Sequence, residues 1–273
     1  MSTPSFSIAG RSIGPEFPPY VIAEISCNHA YAKEGPWGPA GKSYDRCVEL
    51  VKQAAAAGCD AVKLQTYLAD TITIKHDSKH FQITGAKVKL WNHQTLHSLY
   101  DENSTPWEWT EPLMKIANDL GMVLFTSPFD ETAVDYLEAI NVPAYKIASF
   151  ENTDHGLLRK IALTGKPVIM STGMASVADI DESVHVLRSI NPDIQLAILK
   201  CTSAYPAECV FSELMVLLVA WLLCCCFVAV IFCHTHNRLL CFFSFLVYIF
   251  FRSHIPRNPI STVRPTLIFV ASR

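Results

Sequence analysis

DAVKLQTYL, residues Asp60 to Leu68, has the composition of a buried strand and one feature such a strand rarely carries. Alanine, valine, leucine and tyrosine suit a packed, pleated surface. Lys63 and Gln65 interrupt them. Two residues apart on a strand, their side chains leave on the same face. Two readings are open: the lysine snorkels out of the strand end, or the two line a cavity that binds something negative.

Strands of the same kind recur along the chain. YVIAEIS (Tyr20 to Ser26) precedes this one; MVLFTSP, AYKIAS, PVIMST and IQLAILKCTSAYP follow. Helical stretches separate them. Ser43 is placed to cap a helix that Gly58 stops. TPWEWTEPLMKIANDLG, DETAVDYLEAIN, DHGLLRKIALTG and SVADIDESVHVLRSI read as further helices, and residues 69–105 form a long excursion. Six β-α units in series predict a parallel sheet, because each helix returns the chain to the same end. A doubly wound sheet would want a glycine-rich phosphate loop after its first strand. EISCNHAYAKEGPWGPAG has glycines without that spacing. Polar residues stand instead at the C-terminal end of every strand: Glu24, Lys63 and Gln65, Ser127, Lys146 and Ser149, Ser171 and Thr172, Lys200 and Tyr205. Barrel enzymes keep their chemistry there. The expected fold is α/β, of the (β/α)8 TIM-barrel type, cut off after about six units.

The residues themselves suggest an anion site. Two inward lysines, Lys63 and Lys146, with no carboxylate beside them in sequence would repel unless an anionic ligand joined them. A phosphorylated, carboxylated small molecule fits. Ser127 and Ser171 add neutral donors, or serve as turn residues beside Pro and Thr-Gly. Glu24 is the candidate acid or base; the alternative is a structural partner for one of the lysines. His29 lies just past the first strand and reads as a loop histidine. The aromatic run TPWEWTEP reads as helix packing.

Composition bounds the rest. The chain has 273 residues, 50% hydrophobic and 17% charged, with net charge −3. That suits a packed domain and argues against a nucleic-acid surface. The average conceals a break. From Cys209 onward there is no Lys, Asp or Gly, and five Arg stand against one acid, Glu213. Six of the ten Cys lie in this tail. The other four, Cys27, Cys47, Cys59 and Cys201, form no CxxC pair and read as reduced thiols of a cytoplasmic protein. The first residues, MSTPSFSIAGRSIG, lack the pattern of a signal peptide.

Taken in order, VIAEISCNHA, DAVKLQTYLADTIT, LWNHQTLHSLYDENSTPWEW, LFTSPFDETAVDYLE, PAYKIASFENTD, GKPVIMSTGM and LKCTSAYPA resemble the sialic acid synthase family over residues 6–207. The third and last of these look most like its pseudaminic acid synthase branch. The resemblance implies condensation of phosphoenolpyruvate with an acetamido sugar to give a nine-carbon acid. It implies that Lys63, Ser127, Lys146, Ser149 and Ser171 hold phosphoenolpyruvate, that Gln65, Glu151 and Tyr205 contact the sugar, and that Glu24 transfers a proton or stabilises positive charge. Ser203 falls where the neuraminate branch has Asn. A divalent metal, Mn²⁺ or Mg²⁺, is expected for the family, as is a homodimer built through a further C-terminal domain. The family's metal-binding histidines belong to segments that do not follow here.

The chain thus divides at about residue 207 into a partial barrel, 1–207, and an apolar tail, 208–273. Two readings of the tail stand. Residues 214–233 form an uncharged run long enough to span a bilayer, which would tether a non-catalytic relative to a membrane. Alternatively, the abrupt change is what a frame shift or translated intron would give. A partial barrel with open edges is expected to be poorly stable and weakly active. A fragment of an N-acetylneuraminate synthase is the alternative to the pseudaminate reading.

Overall fold

The computed structural model describes residues 6–14, 17–31, 41–84, 94–199 and 201, with the backbone of 229–233, 242–246, 249–250 and 268–272. A hairpin of β1 (Phe6–Ile8) and β2 (Arg11–Ile13) opens the chain. Then come β3 (Tyr20–Glu24), a small ribbon of β4 (Ala30–Tyr31) and β5 (Gly41–Lys42), helix α1 (Tyr44–Ala56) and β6 (Ala61–Thr66). The excursion holds α2 (Ala69–Ile72) and α3 (Leu96–Asn103) and leads to α4 (Thr110–Asp119). The remaining units are β7 (Val123–Pro128), α5 (Glu131–Ala139), β8 (Tyr145–Ile147), α6 (His155–Leu163), β9 (Val168–Ser171), α7 (Val177–Ile190) and β10 (Leu196–Leu199).

Local chemistry sets these boundaries. Ser43 accepts from the Arg46 amide, Asp130 from Thr132 and Ala133, and Asp154 from Leu157. Ser176 and Asp179 form a reciprocal capping box on α7. Each satisfies amides that a helix start leaves unpaired. Gly58, Gly121 and Gly165 follow α1, α4 and α6 with positive φ, as expected of residues that stop a helix.

The strands β3, β6, β7, β8, β9 and β10 are neighbours in chain order and all parallel. Their helices cover one face. Cys47, Val51, Leu113 and Ala117 of α1 and α4 pack on Val62, Leu64 and Leu124. Leu137, Leu157, Ile161 and Leu187 of α5, α6 and α7 pack on Tyr145, Ile147, Val168 and Leu196. The other face is the barrel interior, with Tyr20, Ile22, Ala61, Phe125, Ile169, Ala197 and Leu199 in one cluster. Phe6, Ile8 and Ile13 of the hairpin join that cluster. Arg11 fastens the hairpin through an ion pair to Asp60 and a stack over the Tyr20 ring, 5.1 Å away.

Two expectations change. The hairpin and α3 were not legible as elements. The sixth strand is described as far as Leu199, and residues 200 and 202–206 of its expected range lie outside the described residues. The tail, expected to form no barrel strand, supplies β14 (Ile268–Ser272), parallel to β3, and β13 (Ile249–Phe250), antiparallel to β10. It also holds a hairpin of β11 (Ala229–Cys233) and β12 (Phe242–Leu246). The end of the candidate membrane run is therefore strand; residues 214–228, like the boundary at 207, lie outside the described residues. Among those described, no helix is long and apolar enough to cross a membrane.

Candidate active site

Period-two alternation carries the interior from apolar to polar along each strand. On β3 the inward series is Tyr20, Ile22, Glu24; on β6 Ala61, Lys63, Gln65; on β7 Val123, Phe125, Ser127. Lys146 follows Ala144, and Ser171 follows Ile169. The lower layers are the hydrophobic cluster. The upper layer is a ring of ionic and hydroxyl groups at the strand ends.

Two stations make up that ring. At the first, Lys63 Nζ lies 2.6 Å from Glu24 Oε2 and donates to Ser127 Oγ at 3.3 Å. The pair forms because Glu24 stands directly opposite Lys63 in the β3–β6 register. At the second, Lys146 Nζ donates to Ser171 Oγ at 2.5 Å and to the Ile147 carbonyl at 2.8 Å. Both lysines are 7% exposed. No carboxylate stands beside Lys63 in sequence, but Glu24, distant in sequence, is adjacent to it in space. Its structural-partner reading is realised, and neither lysine snorkels. Ser127 and Ser171 both point to lysines.

Electrostatics separates the stations. Burial, reinforced by the charge of Lys63, pushes Lys146 down to about 8. Glu151, just beyond β8, is raised, chiefly by burial, with the Lys146 charge opposing. Glu24 Oε1 and Glu151 Oε2 are buried and accept no hydrogen bond among the described residues. Free carboxyl oxygens beside buried ammonium groups give the mouth acceptors as well as donors.

Further contacts hold the ring in place. Ser149 Oγ accepts from the Gly173 amide at 3.2 Å, joining the loops after β8 and β9. Asn152 Nδ2 donates to the Ser171 carbonyl, while its own carbonyl accepts from Ser183 of α7. Thr172 Oγ1 donates to the Leu199 carbonyl at 2.8 Å. Gln65 lies opposite Ser127 in the β6–β7 register. Of the sequence-predicted residues, Glu24, Lys63, Ser127, Lys146 and Ser171 are brought together directly. Ser149, Gln65 and Glu151 flank them. Lys200, Ser203 and Tyr205 lie outside the described residues.

Asn152 was missed because nothing in sequence marks an asparagine that braces a neighbouring strand. His29 is fully buried, with Nε2 at 2.9 Å from Thr105 Oγ1 and its ring edge-on to Trp109. Burial first, then Lys42 and Arg46, hold it down to about 4, so it is neutral at ordinary pH. The aromatic run packs as expected: Trp109 meets Tyr44, and Trp107 meets Tyr136. No three His, Cys, Asp or Glu side chains among the described residues converge as a metal set. The described residues therefore do not fit the divalent metal that the resemblance implies, and no step is assigned to one.

The described strands form a parallel α/β barrel wall with two buried lysines at its C-terminal end, the end at which barrel enzymes keep their chemistry. The NeuB family model matches residues 50–218, and the chain belongs to that family. It is 36% identical over 191 residues to the pseudaminic acid synthase of Helicobacter pylori, covering 70% of this chain and 52% of that one. It is 38% identical over 188 residues to the pseudaminic acid synthase of Campylobacter jejuni, covering 68% and 50%. The chain thus spans about half the length of these curated relatives. Among solved structures, an N-acetylneuraminic acid synthetase from Leptospira borgpetersenii superposes with TM-score 0.62 at 22% identity, over 80% of this chain and 66% of that one. This last likeness bears on the fold.

Proposed function

We propose that this chain carries the phosphoenolpyruvate-binding part of a nonulosonic acid synthase, of the pseudaminate kind, and that the acceptor is an acetamido sugar. The observation that carries the proposal is the second station: Lys146 is buried with hydroxyl and carbonyl partners, and no carboxylate among the described residues forms an ion pair with it. A buried cation in that state is stabilised by an anionic guest. Phosphoenolpyruvate offers a phosphate and a carboxylate, and the ring offers two ammonium groups with Ser127, Ser149 and Ser171 beside them.

In the proposed reaction, C3 of the enol phosphate attacks the aldehyde carbon of the open-chain sugar. A C–C bond forms, the aldehyde oxygen takes a proton, and positive charge develops at C2. Water adds at C2 and loses a proton, and phosphate then leaves with C–O cleavage to give the keto acid. Glu24, with one oxygen on Lys63 and the other free, is suited to stabilise the charge at C2 or to accept the proton from water. Lys63 and Lys146 hold the phosphate and carboxylate. Gln65, Glu151 and Tyr205 are proposed to face the sugar. The identity to two pseudaminic acid synthases supports that branch over N-acetylneuraminate synthesis.

Calorimetry with phosphoenolpyruvate tests the binding half, and phosphate release with Mn²⁺ and each acetamido sugar tests turnover. Saturable binding, lost in Lys146→Met, is expected. Absence of binding at millimolar phosphoenolpyruvate sinks the proposal. Binding without phosphate release restricts this chain to a non-condensing relative.

A further inference from the structure

The tail has no part in the chemistry so far, yet its last strand lies against the strand that carries Glu24. β14 pairs in parallel with β3 residue for residue, from Ile268 opposite Tyr20 to Ser272 opposite Glu24. It stands at one end of the sheet, beyond β3. Without it β3 would be an edge strand, with a row of unpaired backbone groups. The ladder shows which groups those are. The Val21 carbonyl accepts from the Asp60 amide at 2.8 Å, and the Val21 amide donates to Asp60 Oδ2 at 2.7 Å. The Ile25 amide donates to the Lys63 carbonyl at 3.0 Å. Successive residues of a strand direct their amides and carbonyls to opposite sides. Residues 21, 23 and 25 therefore face β6, and Tyr20, Ile22 and Glu24 turn their backbone groups to β14. Glu24 is held from two sides: its carboxylate by Lys63 of β6, its main chain by the tail.

We propose that β14 is a positioning element for Glu24, so that the tail serves the condensation by fixing this carboxylate beside Lys63. The proposal rests on the synthase reading above and adds residues 268–272 to its machinery. Glu24 Oε1 is buried and accepts no hydrogen bond among the described residues. One side-chain partner leaves the rest of the placement to the backbone. A catalytic group must stay within about 0.5 Å of its productive geometry, and a strand paired on both sides supplies that rigidity.

The test is a pair of prolines in the whole chain. In a parallel ladder a residue bonds the two neighbours of its partner. The Ala271 amide therefore faces β3, and the Val270 amide faces the open edge, where proline is tolerated. Hydrogen exchange of the Glu24 amide is measured, with kcat and the phosphoenolpyruvate KM from phosphate release. Ala271→Pro is expected to speed that exchange and to lower kcat about tenfold or more, with KM within about twofold. It is expected to cost nothing further in a Glu24→Gln background. Val270→Pro is expected to match wild type. If Ala271→Pro fails to fold, Ala271→Gly takes its place, with the same signs and smaller effects. Equal losses in both proline variants, or a full added loss on top of Glu24→Gln, show a merely structural strand and overturn the inference. So does a wild-type Glu24 amide that exchanges as fast as in an unfolded chain. If wild type binds phosphoenolpyruvate but releases no phosphate, the inference fails and the binding half of the synthase reading stands. If it binds none, that reading fails and this one with it.

Discussion

Lys63 and Lys146 are equally buried on strands of one sheet, yet they are served differently. Lys63 has a carboxylate at 2.6 Å, and Lys146 has a hydroxyl and a carbonyl. Burying a charge is costly unless it is paired. The first lysine is thus part of the fold's own internal balance. The second is held down by burial and by the Lys63 charge, and under the proposed function it is the one an anionic ligand relieves. The position of Glu24 decides which lysine is paired.

The largest expected effect separates them by binding. Lys146→Met should raise the phosphoenolpyruvate dissociation constant by at least about 30-fold, since truncating a buried charge partner costs about 2–5 kcal/mol. The melting temperature of the ligand-free chain should stay level or rise. Lys63→Met should do the opposite in stability, stranding Glu24 and costing about 3 kcal/mol. If denaturant titration gives the two variants equal stability, the contrast between the stations is wrong.

pH sharpens the contrast next. Lys146 titrates at about 8 in the fold against 10.5 for the ordinary group. Phosphoenolpyruvate affinity should fall about tenfold per pH unit above that value, because only the protonated lysine binds. Stability runs the other way. Between about 8 and 10.5 the folded chain holds fewer protons than the unfolded one, so the Lys146 contribution to ligand-free stability increases as pH rises through that window. Affinity that is flat from pH 7 to 9.5 would remove the receptive lysine. The smallest effect belongs to Ser127→Ala, about 1 kcal/mol in stability, because Lys63 keeps Glu24.

The six parallel strands were readable because each carries its own alternation and its own polar terminus. The same period exposed Lys63, Ser127, Lys146 and Ser171 as residues of one interior layer. The Glu24–Lys63 pair was not readable, since it depends on the register between β3 and β6, and register is set by packing of both strands together. Helix α3 was hidden for a related reason. It has eight residues, of which His97 is the buried one, so its apolar periodicity is faint. The three-residue strands of the N-terminal hairpin are too short to show any period.

That hairpin has a consequence for how the molecule is made. The Ser7 amide donates to Gln195 Oε1 at 2.8 Å, across 188 residues, and Phe6, Ile8 and Ile13 share a cluster with Ala197 and Leu199. As the chain leaves the ribosome, residues 6–14 have no finished surface to settle on until the sixth strand has been synthesised. Assembly cannot simply advance from start to finish; the opening segment waits, and its docking reports that the last of the six strands has arrived.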